Sequence, residues 1–163
     1  MLKSWYRPQR APAAAYSGRQ ASNWNSTLKL DSPAIRGNRT LLLHGLQNLL
    51  VNVASHGRSG NWARVSAARV GSEVAFTIED KGNGVPPEEV AHVFDPFYRG
   101  RRAEQSGGAG LGLGLSLVKR VVEAHAGKIQ LRSRRDLGTT IVFTIPILDP
   151  HESNSHNASP QRA

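Results

Sequence analysis

The chain has 163 residues, 39% of them apolar, no cysteine, and a formal net charge of +9. That length suffices for one domain with a sizeable core, and the lack of cysteine excludes a disulfide scaffold or a thiolate metal site and suits a reducing compartment. No apolar run approaches a membrane span and the N-terminal stretch lacks a signal peptide's apolar segment, so a soluble, cytoplasmic chain is expected.

The basic excess is unevenly spread. Residues 1–25 hold four basic and no acidic residues, 26–148 hold 16 against 10, and 149–163 hold one against two. The clusters Arg99/Arg101/Arg102 and Arg132/Arg134/Arg135 lack the interleaved aromatics of a nucleic-acid surface, so a solvated face or attraction to a polyphosphate is expected instead. Residues 1–26 are rich in Ala, Pro, Arg, Ser and Asn without periodicity and read as a disordered arm or severed linker. The folded domain is expected over 27–148, with a disordered tail over 149–163.

In chain order, Leu28-Lys29-Leu30 has the pattern of a short strand. Residues 40–56 read as a helix, with Leu42, Leu46, Leu49, Leu50 and Val53 on one face and His44, Asn48, Asn52 and His56, spaced by four, along the other. Asn is a poor helix former, so two of them in an apolar helix need a reason beyond propensity. One reason is a solvated polar face; the other is an amide oxygen set out for Mg²⁺, which takes oxygen ligands shared with water and phosphate.

Val65–Val70 and Val74–Ile78 alternate as strands joined at Gly71-Ser72. The second strand runs into Glu79-Asp80-Lys81-Gly82-Asn83-Gly84-Val85-Pro86. A carboxylate at a strand end accepts a hydrogen bond from an exocyclic amine, and the glycines let a flat ring approach the backbone. A plain turn between strand and helix fits the same residues. Pro86-Pro87-Glu88-Glu89 then opens a short helix with acidic residues in its first turn.

The run Gly107-Gly108-Ala109-Gly110-Leu111-Gly112-Leu113-Gly114 leads straight into a second apolar-periodic helix, about 115–125, that stops at Gly127. Read as a phosphate loop, it brings bare backbone close to an anion and delivers it to a helix N-terminus, where free N–H groups and partial positive charge collect. A structural turn remains open as a reading; a plain linker would carry polar residues where this run has leucine. Lys128–Arg134 and Thr139–Ile145 complete a hairpin around Asp136-Leu137-Gly138, with Ile141, Phe143 and Ile145 on one face. The expected fold class is α+β: a two-layer α/β sandwich in which a mixed β-sheet is covered on one face by helices.

Four motifs now stand in order: Asn48-Leu49-Leu50-Val51-Asn52, Asp80 to Gly84, Phe94-Asp95-Pro96-Phe97-Tyr98-Arg99, and Gly110-Leu111-Gly112-Leu113-Gly114-Leu115. In this order and over about residues 28–147 the sequence resembles the ATP-binding catalytic domain of sensor histidine kinases. That family belongs to a larger group with type II topoisomerases, Hsp90 chaperones and MutL repair proteins, which share the Bergerat-type ATP-binding fold.

The resemblance implies ATP and Mg²⁺ as ligands. Asn52, assisted by Asn48, would hold the metal against the phosphates, and His56 would lie against the nucleotide. Asp80 would take the adenine amine, partly through water, with Thr139 nearby; Gly82, Gly84 and Val85 would form a thin wall beside the ring. Residues 95–109 would form a lid from which Arg99, Arg101 or Arg102 reaches the phosphates, while Gly110, Leu111, Gly112, Leu113, Gly114 and Leu115 cradle them.

Hydrolases of the group carry a Glu general base where this chain has Asn48, and an amide takes no proton at neutral pH, so direct phosphoryl transfer is expected rather than hydrolysis. The expected acceptor is a histidine on a dimerisation domain, with a response-regulator receiver protein downstream. This chain lacks the family's His-Glu/Asp-Pro acceptor motif, so it is expected to be the ATP-binding part alone. Ser55 stands where the family commonly has Lys or Arg, which leaves Arg58 or the lid arginines to compensate. The alternative is a non-catalytic nucleotide-binding module that regulates a partner protein.

Overall fold

The computed structural model describes residues 23–29, 33–56, 60–102 and 110–148. Its elements are β1 (Asn23–Lys29), α1 (Arg39–His56), β2 (Trp62–Val70), β3 (Glu73–Asp80), α2 (Pro87–Val90), α3 (Gly114–Ala124), β4 (Lys128–Arg134) and β5 (Gly138–Pro146). The strands form one five-stranded sheet in the order β1-β2-β3-β5-β4. β1 runs parallel to β2, and every other neighbour is antiparallel. The sheet is therefore mixed, and helices cover one face of it, as expected.

Period-two alternation decides that face. Ala63 and Ala67 of β2, Val74 and Ile78 of β3, and Ile141, Phe143 and Ile145 of β5 are buried, with Ile129 and Leu131 of β4 packed beside them. Phe76 and Phe143 are cross-strand partners whose rings stack at 4.7 Å. Leu49 and Val53 of α1 and Val118 and Val122 of α3 close this core from the helix layer. The opposite face carries polar partners such as Arg64 and Glu79, 3.7 Å apart.

Two boundaries differ from the sequence reading by more than two residues. β1 begins at Asn23, inside the stretch assigned to the arm, because Asn23 to Lys29 pair residue by residue with Trp62 to Ala68. β2 begins at Trp62 rather than Val65 for the same reason, with Ala63 also opposite Asp80 on its other edge. Tertiary pairing, not local pattern, sets both starts. Leu30, the remaining arm, the 149–163 tail and Arg58 lie outside the described residues.

α1 packs more narrowly than its apolar pattern suggests. Its buried residues are Gly45, Leu49 and Val53; Leu42, Leu46 and Leu50 are half-buried, and Leu41, Leu43 and Val51 are exposed. Gly45 marks the close approach of α3, since a Cβ there would sit 3.7 Å from Val121. No helix among the described residues is long and apolar enough to cross a membrane.

Candidate functional site

The seam between β3 and β5 ends at Asp80, which pairs with Thr139. Asp80 is the last residue of β3, so its carboxylate leaves the ladder and turns to local donors. Its Oδ1 accepts from the Gly82 N–H at 2.8 Å, and the carboxylate also accepts from the Thr139 backbone N–H. Burial pushes the carboxyl above its ordinary value, against the two N–H groups and the nearby His56, which pull it down. A half-buried anion held this way seeks further donors.

Around it, Gly84 and Gly138 bring three backbones together. A Cβ on Gly84 would overlap the Arg134 carbonyl, and one on Gly138 would overlap the carbonyl of Asp80. Both residues have positive φ, +63° and +101°. The wall is thus bare backbone. A cavity of about 250 Å³ opens here, lined by Asp80, Ser133, Leu137 and Thr139, with Arg132 and Arg134, both exposed, also at its edge.

Ser133 ties this wall together, and sequence reasoning missed it. Its Oγ accepts from the Val85 N–H at 2.8 Å, donates to the Gly138 carbonyl at 2.8 Å, and lies 2.9 Å from the Thr139 hydroxyl. The available signal was position: Ser133 follows Ile129 and Leu131 on the core-facing side of β4, where a polar group must find partners.

At the other end, α1 and α3 lie antiparallel. Three contacts give their register. Asn52 faces Gly114 at the start of α3, its amide 3.9 Å from where a Cβ would stand; Gly45 meets Val121; and Asn38 meets His125. Of the four-spaced stripe, Asn48 and Asn52 are half-buried and His44 and His56 exposed. α3 begins after Leu113 with no side-chain cap, and the first N–H groups of a helix, which lack an intrahelical partner, suit an anion.

His125 locks the far end. The Asn38 N–H donates to its Nε2 at 2.9 Å, and its Nδ1 donates to the Val121 carbonyl at 2.6 Å. Asn38 is itself the N-cap of α1, its Oδ1 accepting from the Leu41 N–H at 3.1 Å. Gly37 is needed beside it, because a Cβ there would overlap the imidazole. His125→Ala is expected to cost about 1 kcal/mol in urea denaturation. His125→Gln, whose Oε1 still reaches Asn38, should recover most of that loss.

Gly112 lies against the Phe97 and Tyr98 backbones, while Gly110 has open space around it. Leu111 is 75% exposed and Leu113 less so, whereas Leu115 packs on the core. Arg99 is half-buried, and Arg102 lies 4.0 Å from Asp136. Residues 103–109, the rest of the expected lid and the first glycines of the loop, lie outside the described residues. The structure thus gathers Asp80, Gly82, Gly84, Val85 and Thr139 at one end and Asn52 and Gly114 at the other. Of these residues, Asp80 and Thr139 line the cavity.

Among the described residues no cluster of three or more His, Cys, Asp or Glu side chains could hold a metal alone. Amide oxygens from Asn52 and Asn48 suit a hard cation that takes its other ligands from phosphate and water. The donor set therefore fits Mg²⁺ shared with a polyphosphate, and does not fit a stand-alone metal centre.

Comparison with known proteins identifies the fold and the family. The sensor-like histidine kinase SenX3 of Mycobacterium tuberculosis is 33% identical over 131 residues, 78% of this chain but 32% of that protein. The chain thus spans about a third of that relative's length. A mycobacterial sensor histidine kinase, MprB, superposes with a TM-score of 0.64 at 27% identity, covering 77% of this chain and 81% of that one. The histidine kinase domain of the E. coli osmosensor EnvZ gives 0.60 at 27% identity, covering 90% and 86%. Residues 37–149 match the model of the histidine kinase-, DNA gyrase B- and HSP90-like ATPases, and the chain belongs to that family.

Proposed function

We propose that this chain binds Mg·ATP and presents the γ-phosphoryl group to a histidine on a separate dimerisation domain, as the catalytic part of a two-component sensor histidine kinase. One observation carries the reading: a half-buried carboxylate at the end of β3 has His56 of α1 nearby, and Asn52, one turn earlier on the same helix, faces the uncapped start of α3. The first suits an adenine amine and the second suits phosphates.

In this reading Asp80 accepts from the exocyclic amine and Thr139 flanks it, while Gly84 and Gly138 keep the wall thin enough for a ring. Asn52 and Asn48 would hold Mg²⁺ through their amide oxygens, and the metal would supply charge neutralisation at the phosphates. The N–H groups at the start of α3 and the loop from Gly110 hold the phosphate chain. Arg99 serves the phosphates from the lid side. The acceptor imidazole nitrogen forms a bond to Pγ as the bond from Pγ to the ADP oxygen breaks, and the chain's share is position and charge. Asn48 offers no base to activate water, so transfer to histidine wins over hydrolysis. A receiver protein then takes the phosphoryl group, in the cytoplasm where ATP is supplied.

The test is transfer in trans. The chain, Mg²⁺ and ATP labelled in the γ-phosphate are mixed with a histidine-bearing dimerisation domain of a SenX3-type kinase. Acid-labile, alkali-stable label on that domain is the expected result. Nucleotide binding without any transfer would instead leave a module that regulates a partner.

A further inference from the structure

The three hydrogen bonds at Ser133 are not symmetric in what they leave free. A carbonyl can only accept, so the Ser133 hydroxyl proton is committed to the Gly138 oxygen at 2.8 Å. A backbone N–H can only donate, so Val85 takes one lone pair of the same oxygen at 2.8 Å. The remaining contact, 2.9 Å to Thr139 Oγ1, must then have Thr139 as its donor. Thr139 has no second proton. Its hydroxyl meets the cavity as an acceptor, beside the Asp80 carboxylate, which is also an acceptor.

We infer that Ser133 is a specificity-determining residue: by consuming the Thr139 proton it makes both side chains at the base end acceptors, so the site takes a purine with an amino group at position 6 and rejects one with a carbonyl there. This rests on the proposed nucleotide site and goes beyond it by assigning the discrimination to a residue on β4 that need not touch the base. A 6-amino group brings two donors to two acceptors. A 6-oxo group brings lone pairs against lone pairs, and a site with unmatched buried polar groups discriminates strongly. With Ser133 gone, the Thr139 hydroxyl is free to rotate and donate.

The experiment titrates ATP, GTP and inosine triphosphate into the full chain with Mg²⁺ by calorimetry, for the wild type and for Ser133→Ala. Wild type is expected to bind ATP and to reject both 6-oxo nucleotides alike. Ser133→Ala is expected to narrow the ATP-to-GTP preference by roughly threefold to tenfold, the worth of one hydrogen bond. Ser133→Thr, which keeps the hydroxyl, should retain the wild-type ratio. An unchanged ratio in a folded Ser133→Ala protein overturns the role of Ser133 and leaves the nucleotide site standing. If Ser133→Ala does not fold, the wild-type titration decides: inosine triphosphate bound as well as ATP means that the 2-amino group, not the 6 position, is read, which overturns the inference. A wild type that binds none of the three overturns the nucleotide site as well.

Discussion

Asp80→Asn is expected to weaken ATP binding by roughly a hundredfold, the loss of a charged acceptor facing a donor, without weakening the fold. The two expectations come from the same fact. Burial raises the Asp80 carboxyl above its ordinary value, so the ionised form is held at a cost that its N–H donors and His56 do not fully offset. A group whose folded pKa is raised above its unfolded value stabilises the fold when protonated and costs stability when ionised, at pH above the folded pKa. Asparagine removes that charge but leaves a single oxygen for the Gly82 and Thr139 N–H groups, and the two changes offset. At neutral pH the variant should melt no lower than the wild type while failing in calorimetric titration. Acidification should act likewise on the wild type, with ATP affinity falling as pH drops through the raised value and the apo fold losing nothing at Asp80. A variant that melts well below the wild type would show that the carboxylate is structural.

Gly138→Ala should be the most damaging single methyl at the site. The residue sits at φ +101°, a region closed to side chains, and its Cβ would overlap the Asp80 carbonyl and stand 2.8 Å from Lys81 Cα. Backbone strain and overlap together are expected to cost about 3 kcal/mol. Because the obstacle is the backbone that carries Asp80, nucleotide binding should go with it. Gly71→Ala is the control. Gly71 has φ +60° but nothing within 4 Å of a Cβ, so it reports left-handed strain alone, about 1 kcal/mol. Urea denaturation of the two variants separates the terms; equal losses would mean that the crowding at Gly138 relaxes freely.

Much of this arrangement is legible in the sequence, for physical reasons that also mark where legibility stops. α1 and α3 follow from helical periodicity, and β3 and β5 from alternation, because their apolar faces pack on one another. β1 is a different case. Asn23-Trp24-Asn25-Ser26 carries no strand pattern of its own and becomes a strand through its pairing with β2. The Asp80 turn is visible because a strand-end carboxylate with two nearby glycines is a local pattern. Ser133 and His125 are not visible in the same way. Each has near partners, Gly138 and Thr139 for one and Val121 for the other, but also needs one far along the chain, Val85 or Asn38, that no local window contains. Arg102 shows the converse, since its place in a basic cluster suggested phosphate while among the described residues it pairs with Asp136.

The strand order has one more consequence, for how the molecule assembles and responds. β2 with β3, and β4 with β5, are each local hairpins, whereas β3 meets β5 across more than fifty intervening residues. Local pairs close early and distant ones late. Asp80 lies on one side of that late seam and Thr139 on the other, so neither half can recognise a base alone. A ligand spanning them would act as a clasp on the slowest junction: amide exchange along β3 and β5 would slow when it binds, and the melting temperature would climb with its concentration.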